Sequence, residues 1–316
     1  MSFKPGEERE RDEYCCLVSK ASGEQLYGTA TSVKTWLLLE YPYPWGAKAF
    51  EESILPGPVK DQLSAFLERF PESRLEFIKR SGTAFPDEIT LFAVFADDGN
   101  SHFYEFQLSS YVSLLEMDFD QLSAYDNQYQ KNRRHKPLFL VCTNGRRDFC
   151  CAKFGLPVFS EMSSKNEEAV WQCTHVGGHR FAANVISFPH GIYYGRVAVA
   201  EGVRLIETVR KGEILLERYR GRATYPEVAQ AAEYFLRENT GSLNIDAYRL
   251  RSLQQVASNR WAVSFLTSSG QVEHRLVLTD KEPATIVYKN CKDTTASEVY
   301  QYSLESYEAV PVETQA

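Results

Sequence analysis

Apolar and polar positions along this chain fall into short runs with regular punctuation. Trp36-Leu-Leu-Leu39 is continuously apolar and reads as a buried strand, closed by the turn-rich Tyr41-Pro-Tyr-Pro-Trp-Gly46. Apolar residues at Val59, Leu63, Phe66, Leu67 and Phe70 follow the 3.6-residue period of a helix. Residues 75–78, 90–96 and 102–108 read as strands, and 112–125 as a second helix. That order predicts an α/β unit over residues 14–130.

A polar, basic stretch (127–136) leads into a second buried strand, Leu138-Phe-Leu-Val-Cys142, and a helix opening near Cys150. Residues 181–188 and 192–197 form a strand pair turning at Pro189-His-Gly191, and 199–210 a closing helix. These elements define a unit over 137–220 that resembles the first in outline. Beyond it, Thr224-Tyr-Pro-Glu227 has the capping-box pattern of a helix start, reaching Arg237. Residues 244–257, 260–267, 271–278 and 285–289 then alternate as strands, with a hairpin at Ser268-Ser-Gly270, predicting a small α+β domain over 221–316. Residues 1–13 read as a charged, disordered tail, and 308–316 as a frayed end.

Composition adds bounds. With 316 residues, 43% hydrophobic and 13% aromatic, the chain can build more than one core. A net charge of −7 argues against nucleic acid and anionic membrane as partners. No apolar run approaches the ~18 residues of a membrane span, and the charged start is unlike a signal peptide. Seven cysteines, an odd number with two adjacent pairs, suit reduced thiols and metal ligands better than disulfides, so a cytoplasmic setting is expected.

The candidate chemistry lies in two loops. Cys142 ends a strand and Cys150-Cys151 open a helix, whose positive end favours thiolates. His175-Val-Gly-Gly-His179 follows some thirty residues later. Two glycines favour a loop that can wrap a ligand, since each costs a helix interior ~1 kcal/mol. Thiols and imidazoles are the donors of soft and borderline metals. The plainer alternative is buried cysteines and hydrogen-bonded loop histidines; either Cys150 or Cys151 could supply a second sulfur.

Cys142-Thr-Asn-Gly-Arg-Arg-Asp148 with Cys150-Cys151, and His175-Val-Gly-Gly-His-Arg-Phe-Ala-Ala-Asn184, resemble the sucrase/ferredoxin-like family, relatives of the thioredoxin-like [2Fe–2S] ferredoxins. Tyr193-Tyr-Gly-Arg196, Ala21-Ser-Gly-Glu24 and Trp36-Leu-Leu-Leu-Glu40 extend the resemblance over about 14–220. It implies an α/β chain of two thioredoxin-like domains in tandem, the first degenerate, the second holding a [2Fe–2S] cluster on Cys142, Cys151, His175 and His179. Cys151 is chosen over Cys150 because it stands nine residues after Cys142, as in the family's loop. Asn144 departs from the His of many relatives, and Cys150 and Cys173 remain alternative ligands. The resemblance further implies an electron carrier whose reduction takes up a proton, since imidazole ligands raise a cluster's potential and carry a titratable second nitrogen.

Two other readings stand beside it: a structural Cys2His2 zinc site in an interaction protein, and a metal-free oxidoreductase using Cys150 or Cys151. No Cys-x-x-Cys, nucleotide-binding glycine loop or recognisable carboxylate pair of a glycosidase is present, and Asp148 occupies the Arg position of a phosphatase loop. Cys15-Cys16 and Cys291 read as structural. Arg133, Arg134, Arg146 and Arg147 form either an ordinary solvated segment or a docking patch for an acidic redox partner.

Overall fold

A computed structural model of the protein describes residues 14–80, 86–125, 127–165 and 168–312. The tail expected over 1–13 lies outside the described residues. Helix α1 (Cys15–Ala21) precedes strand β1 (Thr35–Glu40); α2 (Gly57–Arg69) then crosses over to β2 (Ser73–Lys79), which runs parallel to β1. Strands β3 (Ile89–Phe95) and β4 (His102–Leu108) return antiparallel. The helix expected over 112–125 is instead a 3-10 turn, Tyr111–Glu116, followed by the short α3 (Phe119–Ser123). Asp118 causes the break: its side chain accepts from the Asp120 and Gln121 amides and caps a new start.

The second half repeats the scheme. Strand β5 (Leu138–Cys142), α4 (Phe149–Lys165) and β6 (Val170–Cys173) form a parallel crossover, and β7 (Val185–Phe188) and β8 (Ile192–Tyr194) return antiparallel. After α5 (Gly202–Arg210), β9 (Tyr219–Arg222) closes the edge. All nine strands lie in one mixed sheet, in the order β4-β3-β1-β2-β6-β5-β7-β8-β9. The stretches 14–130 and 137–220 are therefore joined edge to edge, mirrored about the β2–β6 pairing of Ile78 with Cys173 and Lys79 with Gln172.

The period-2 alternation of strand side chains explains the layers. Leu37 and Leu39 face α2, whereas Trp36 and Leu38 face the opposite side. Phe139 and Val141 likewise pack with α4 and α5, while Leu138, Leu140 and Cys142 point away from them. The residues pointing away from the helices in both halves, among them Trp36, Phe92, Leu140 and Trp171, meet in one shared core as the sheet curls over itself. Strands buried on both faces read as continuous apolar runs, which is why β1 and β5 stand out in the sequence.

Helix α6 (Glu227–Thr240) links the sheet to an antiparallel meander of β10 (Tyr248–Ala257), β11 (Arg260–Thr267), β12 (Val272–Val287) and β13 (Ser297–Pro311). Two expectations are corrected here. The strand expected over 285–289 is largely the end of the long β12, and the segment expected to fray from 308 is paired as far as Pro311, opposite Val272. Tyr302, Leu304 and Tyr307 of β13 pack into the α6 core, which anchors that last strand. Glu233 of α6 is buried and gathers Arg222, Arg237 and the Tyr219 hydroxyl, fastening the helix to β9.

Candidate metal centre

The turn between β5 and α4 sets the two thiols. Asp148 caps α4, its Oδ1 accepting from the Cys150 amide at 2.9 Å. One turn further on, Gly155 lets the helix lie against the end of β5: a Cβ there would collide with the Cys142 carbonyl oxygen. The thiols of Cys142 and Cys151 are both buried.

The two histidines sit on the loop after β6. Arg74 of β2 donates to the His175 carbonyl and pairs with Glu76, which also accepts from the Thr174 hydroxyl. Gly178 has a left-handed backbone, φ 69°, and a side chain there would run into the Arg220 guanidinium. That guanidinium donates to Asn184 Oδ1 at 2.9 Å, Thr29 Oγ1 at 3.0 Å and the Gly177 carbonyl at 3.3 Å. Asn184 Nδ2 in turn donates to the Gly178 carbonyl at 2.9 Å. The loop is thus gripped from β2 on one side and β9 on the other.

These elements bring Cys142, Cys151 and His175 together, their ligand atoms lying within 4.8 Å of one another. His175 Nδ1 is 4.0 Å from Cys142 Sγ and 3.8 Å from Cys151 Sγ. His179 stands one step out: its Nδ1 is 4.0 Å from Cys151 Sγ, and its ring stacks on His175 with centroids 3.9 Å apart. Burial pushes the His175 imidazole down to about 2, reinforced by His179 and Arg74; burial also lowers His179. Both rings are therefore neutral at neutral pH, with a lone pair available. A hydrogen bond from the Cys151 thiol holds Cys142 below the usual thiol range, and the same pairing pushes Cys151 up. Two thiols and two imidazoles are a donor set that exchanges thiol protons for a metal on binding.

A cavity of about 370 Å³ opens beside His175, lined by Arg74, Glu76, Asn144 and Arg147 among others. Asn144 Nδ2 donates to the Gly46 carbonyl at 3.0 Å and so ties the loop to the turn after β1. Cys173 ends β6 in register with Cys142 but belongs to neither group of clustered ligand atoms among the described residues. Cys150 points away from Cys151, towards Cys15 and Cys291. Arg146 and Arg147 lie on the loop after β5, whereas Arg133 meets His102 and Arg134 pairs with Glu105 along β4. Sequence reasoning passed over Arg74, Glu76 and Arg220 altogether; each acts across a strand junction, where sequence spacing carries no signal.

Parts of the chain are similar to known proteins. The chain is 33% identical over 95 residues to altered inheritance of mitochondria protein 32 of Meyerozyma guilliermondii, covering 27% of this chain and 34% of that protein. The namesake of Debaryomyces hansenii is 37% identical over 98 residues (27% and 36%), and that of Saccharomyces cerevisiae 23% over 193 (55% and 60%). The chain thus spans between about a third and three fifths of these relatives. A thioredoxin-like [2Fe–2S] ferredoxin from Aquifex aeolicus is similar over 29% of this chain and 97% of that one, at 16% identity and a TM-score of 0.27. These relatives correct the expected electron-carrier role, since they are named for the inheritance of mitochondria and not as ferredoxins. The model of one family, described as sucrase/ferredoxin-like, matches residues 26–221, and the chain belongs to that family.

Proposed function

We propose that this chain is a metal-binding protein that holds a [2Fe–2S] cluster on Cys142, Cys151, His175 and His179. The observation that carries this reading is the convergence of two buried thiols and a neutral imidazole within 4.8 Å, with a second imidazole stacked on the first. Two sulfur and two nitrogen donors fit an iron–sulfur centre or zinc and suit hard cations poorly. When bound, the cluster supplies one-electron chemistry. The chain's own residues hold the ligands in place: Arg74 fixes the His175 carbonyl, Asn184 and Arg220 fix the glycine turn, and burial keeps both rings unprotonated.

One observation favours a single zinc ion instead. The Sγ–Nδ1 separations of 3.8–4.0 Å lie close to the ~3.6 Å edge of a tetrahedron built with ordinary zinc bond lengths. The absorption spectrum and metal content of anaerobically purified protein decide between them. Sulfide-to-iron bands with two irons per chain support the cluster; a colourless protein with one zinc at these residues overturns it.

The relatives' name supports a mitochondrial setting over the cytoplasmic one expected from composition. Among the described residues no helix is long and apolar enough to cross a membrane.

A further inference from the structure

A second cluster of thiols lies on the other side of the first turn of α4. Cys15 of α1, Cys150 of α4 and Cys291 from the loop after β12 are far apart in sequence, yet their sulfurs form a triangle. Cys15 to Cys150 is 3.5 Å, Cys150 to Cys291 3.2 Å and Cys291 to Cys15 3.5 Å. Each edge is far longer than the ~2.05 Å of a disulfide bond. Asp148 completes the group: the ligand atoms of Cys15, Asp148, Cys150 and Cys291 all lie within 4.8 Å of one another.

The surroundings are those of a closed site. Cys15 and Cys150 are fully buried and Asp148 nearly so, while Cys291 is partly exposed and gives a path from solvent. Asp148 accepts from the Cys150 amide at 2.9 Å through Oδ1 and from the Cys291 amide at 2.7 Å through Oδ2. It therefore orients two of the three thiols, and each oxygen keeps a second lone pair. A tetrahedral zinc ion with ordinary Zn–S bonds sets its sulfurs ~3.8 Å apart, so entry of the ion lengthens two edges of the triangle by about 0.3 Å and the Cys150–Cys291 edge by about 0.6 Å. Three sulfurs and one carboxylate select a soft, thiophilic ion over calcium or magnesium.

We propose that Cys15, Asp148, Cys150 and Cys291 form a second metal site, separate from that of Cys142, Cys151, His175 and His179, which takes one Zn(II) ion. Binding exchanges the thiol protons of the three cysteines for the ion and releases them to solvent. The consecutive residues Cys150 and Cys151 then serve different centres. The second ion fastens α1 and the loop after β12 to the helix that presents the first.

The test uses the full chain stripped of metal under anaerobic conditions and titrated with Co(II), a spectroscopic stand-in for zinc, with Zn(II) as competitor. The paired substitution Cys142→Ala/His175→Ala removes the first centre. In that background the chain should take up one equivalent of Co(II) with a thiolate charge-transfer band, and Zn(II) should displace it. Adding Cys15→Ser or Cys291→Ser should abolish that uptake, with far-UV circular dichroism checking that the chain is folded. In the unsubstituted protein, Zn(II) should slow alkylation of Cys291 by iodoacetamide, followed by peptide mass mapping; this arm does not depend on any variant folding. No uptake in the first-centre-deleted chain, uptake indifferent to both serine substitutions, or unchanged alkylation of Cys291 overturns the proposal. Loss of the first centre alone leaves it standing.

Discussion

Arg74 donates to the main-chain carbonyl of His175, so a strand of the first half of the sheet holds the histidine loop of the second. The same guanidinium neutralises Glu76, whose carboxyl burial pushes up and Arg74 and Thr174 pull back. Arg74→Ala removes both contacts and leaves a buried carboxylate without its cation, which costs about 3–5 kcal/mol. We expect a lower urea midpoint together with reduced metal content. In Arg74→Met/Glu76→Gln most of the stability should return while metal content stays low; full recovery of metal would show that the carbonyl contact is dispensable.

Ligand identity has a direct check. Cys142→Ala and Cys151→Ala should each abolish metal binding at the first centre, measured as absorbance and metal per chain. Cys173→Ala should retain it, at a packing cost of about 1 kcal/mol. Loss of the centre in Cys173→Ala with retention in Cys151→Ala would reassign the second sulfur.

The approach of α4 to β5 rests on Gly155. Gly155→Ala places a methyl group against the Cys142 carbonyl oxygen, so the helix must shift, at a cost of about 1–3 kcal/mol. Cys151 rides on that helix, and metal affinity should fall with stability. Gly57→Ala, at a helical position with open space around it, is the control and should stay within about 0.5 kcal/mol of the parent.

Acid should weaken the fold in two stages. Burial, aided by Arg222, pushes the His190 imidazole from 6.5 down to about 4. The unfolded chain binds that proton first, so the stability is complete above pH 6.5 and lost as pH falls towards 4. Burial opposes ionisation of Glu233, but Arg222 and Arg237 prevail and hold its carboxyl at about 2, against an ordinary 4.5. Its contribution is present above pH 4.5 and is lost between 4.5 and 2. Urea midpoints at pH 7.5, 5.5 and 4.5 should fall for the parent and fall less for His190→Asn, the difference being at most about 3 kcal/mol. Parallel slopes for the two proteins would remove His190 from this account.

Much of this architecture was legible because burial leaves a pattern. The β1 and β5 runs are apolar on both faces, and α2 keeps its period. His175 and His179 around two glycines announced a loop that could converge on Cys142 and Cys151. Other features left no local mark. Asp118 splits an apparently continuous helix through a cap that the apolar spacing does not record. Strand β13 carries Glu298, Glu305 and Glu308, so it reads as polar until its partner β12 is known. Cys15 and Cys291 looked solitary because the chain between them must fold before they meet.

Among the described residues the ladder between β2 and β6 is two residue pairs long, and the chain leaves it directly for His175. Thr174 stands between, with its amide bonded to the Phe77 carbonyl at 2.9 Å and its hydroxyl oxygen accepting from the Phe77 amide at 3.0 Å. Anything that immobilises His175 therefore immobilises the last stitches of the join. Deuterium uptake at Phe77, Ile78 and Thr174 becomes a gauge of whether the centre is loaded, readable at amides that touch no ligand. A loaded centre should therefore slow exchange at these three amides, and equal uptake with and without metal would show that the seam is indifferent to it.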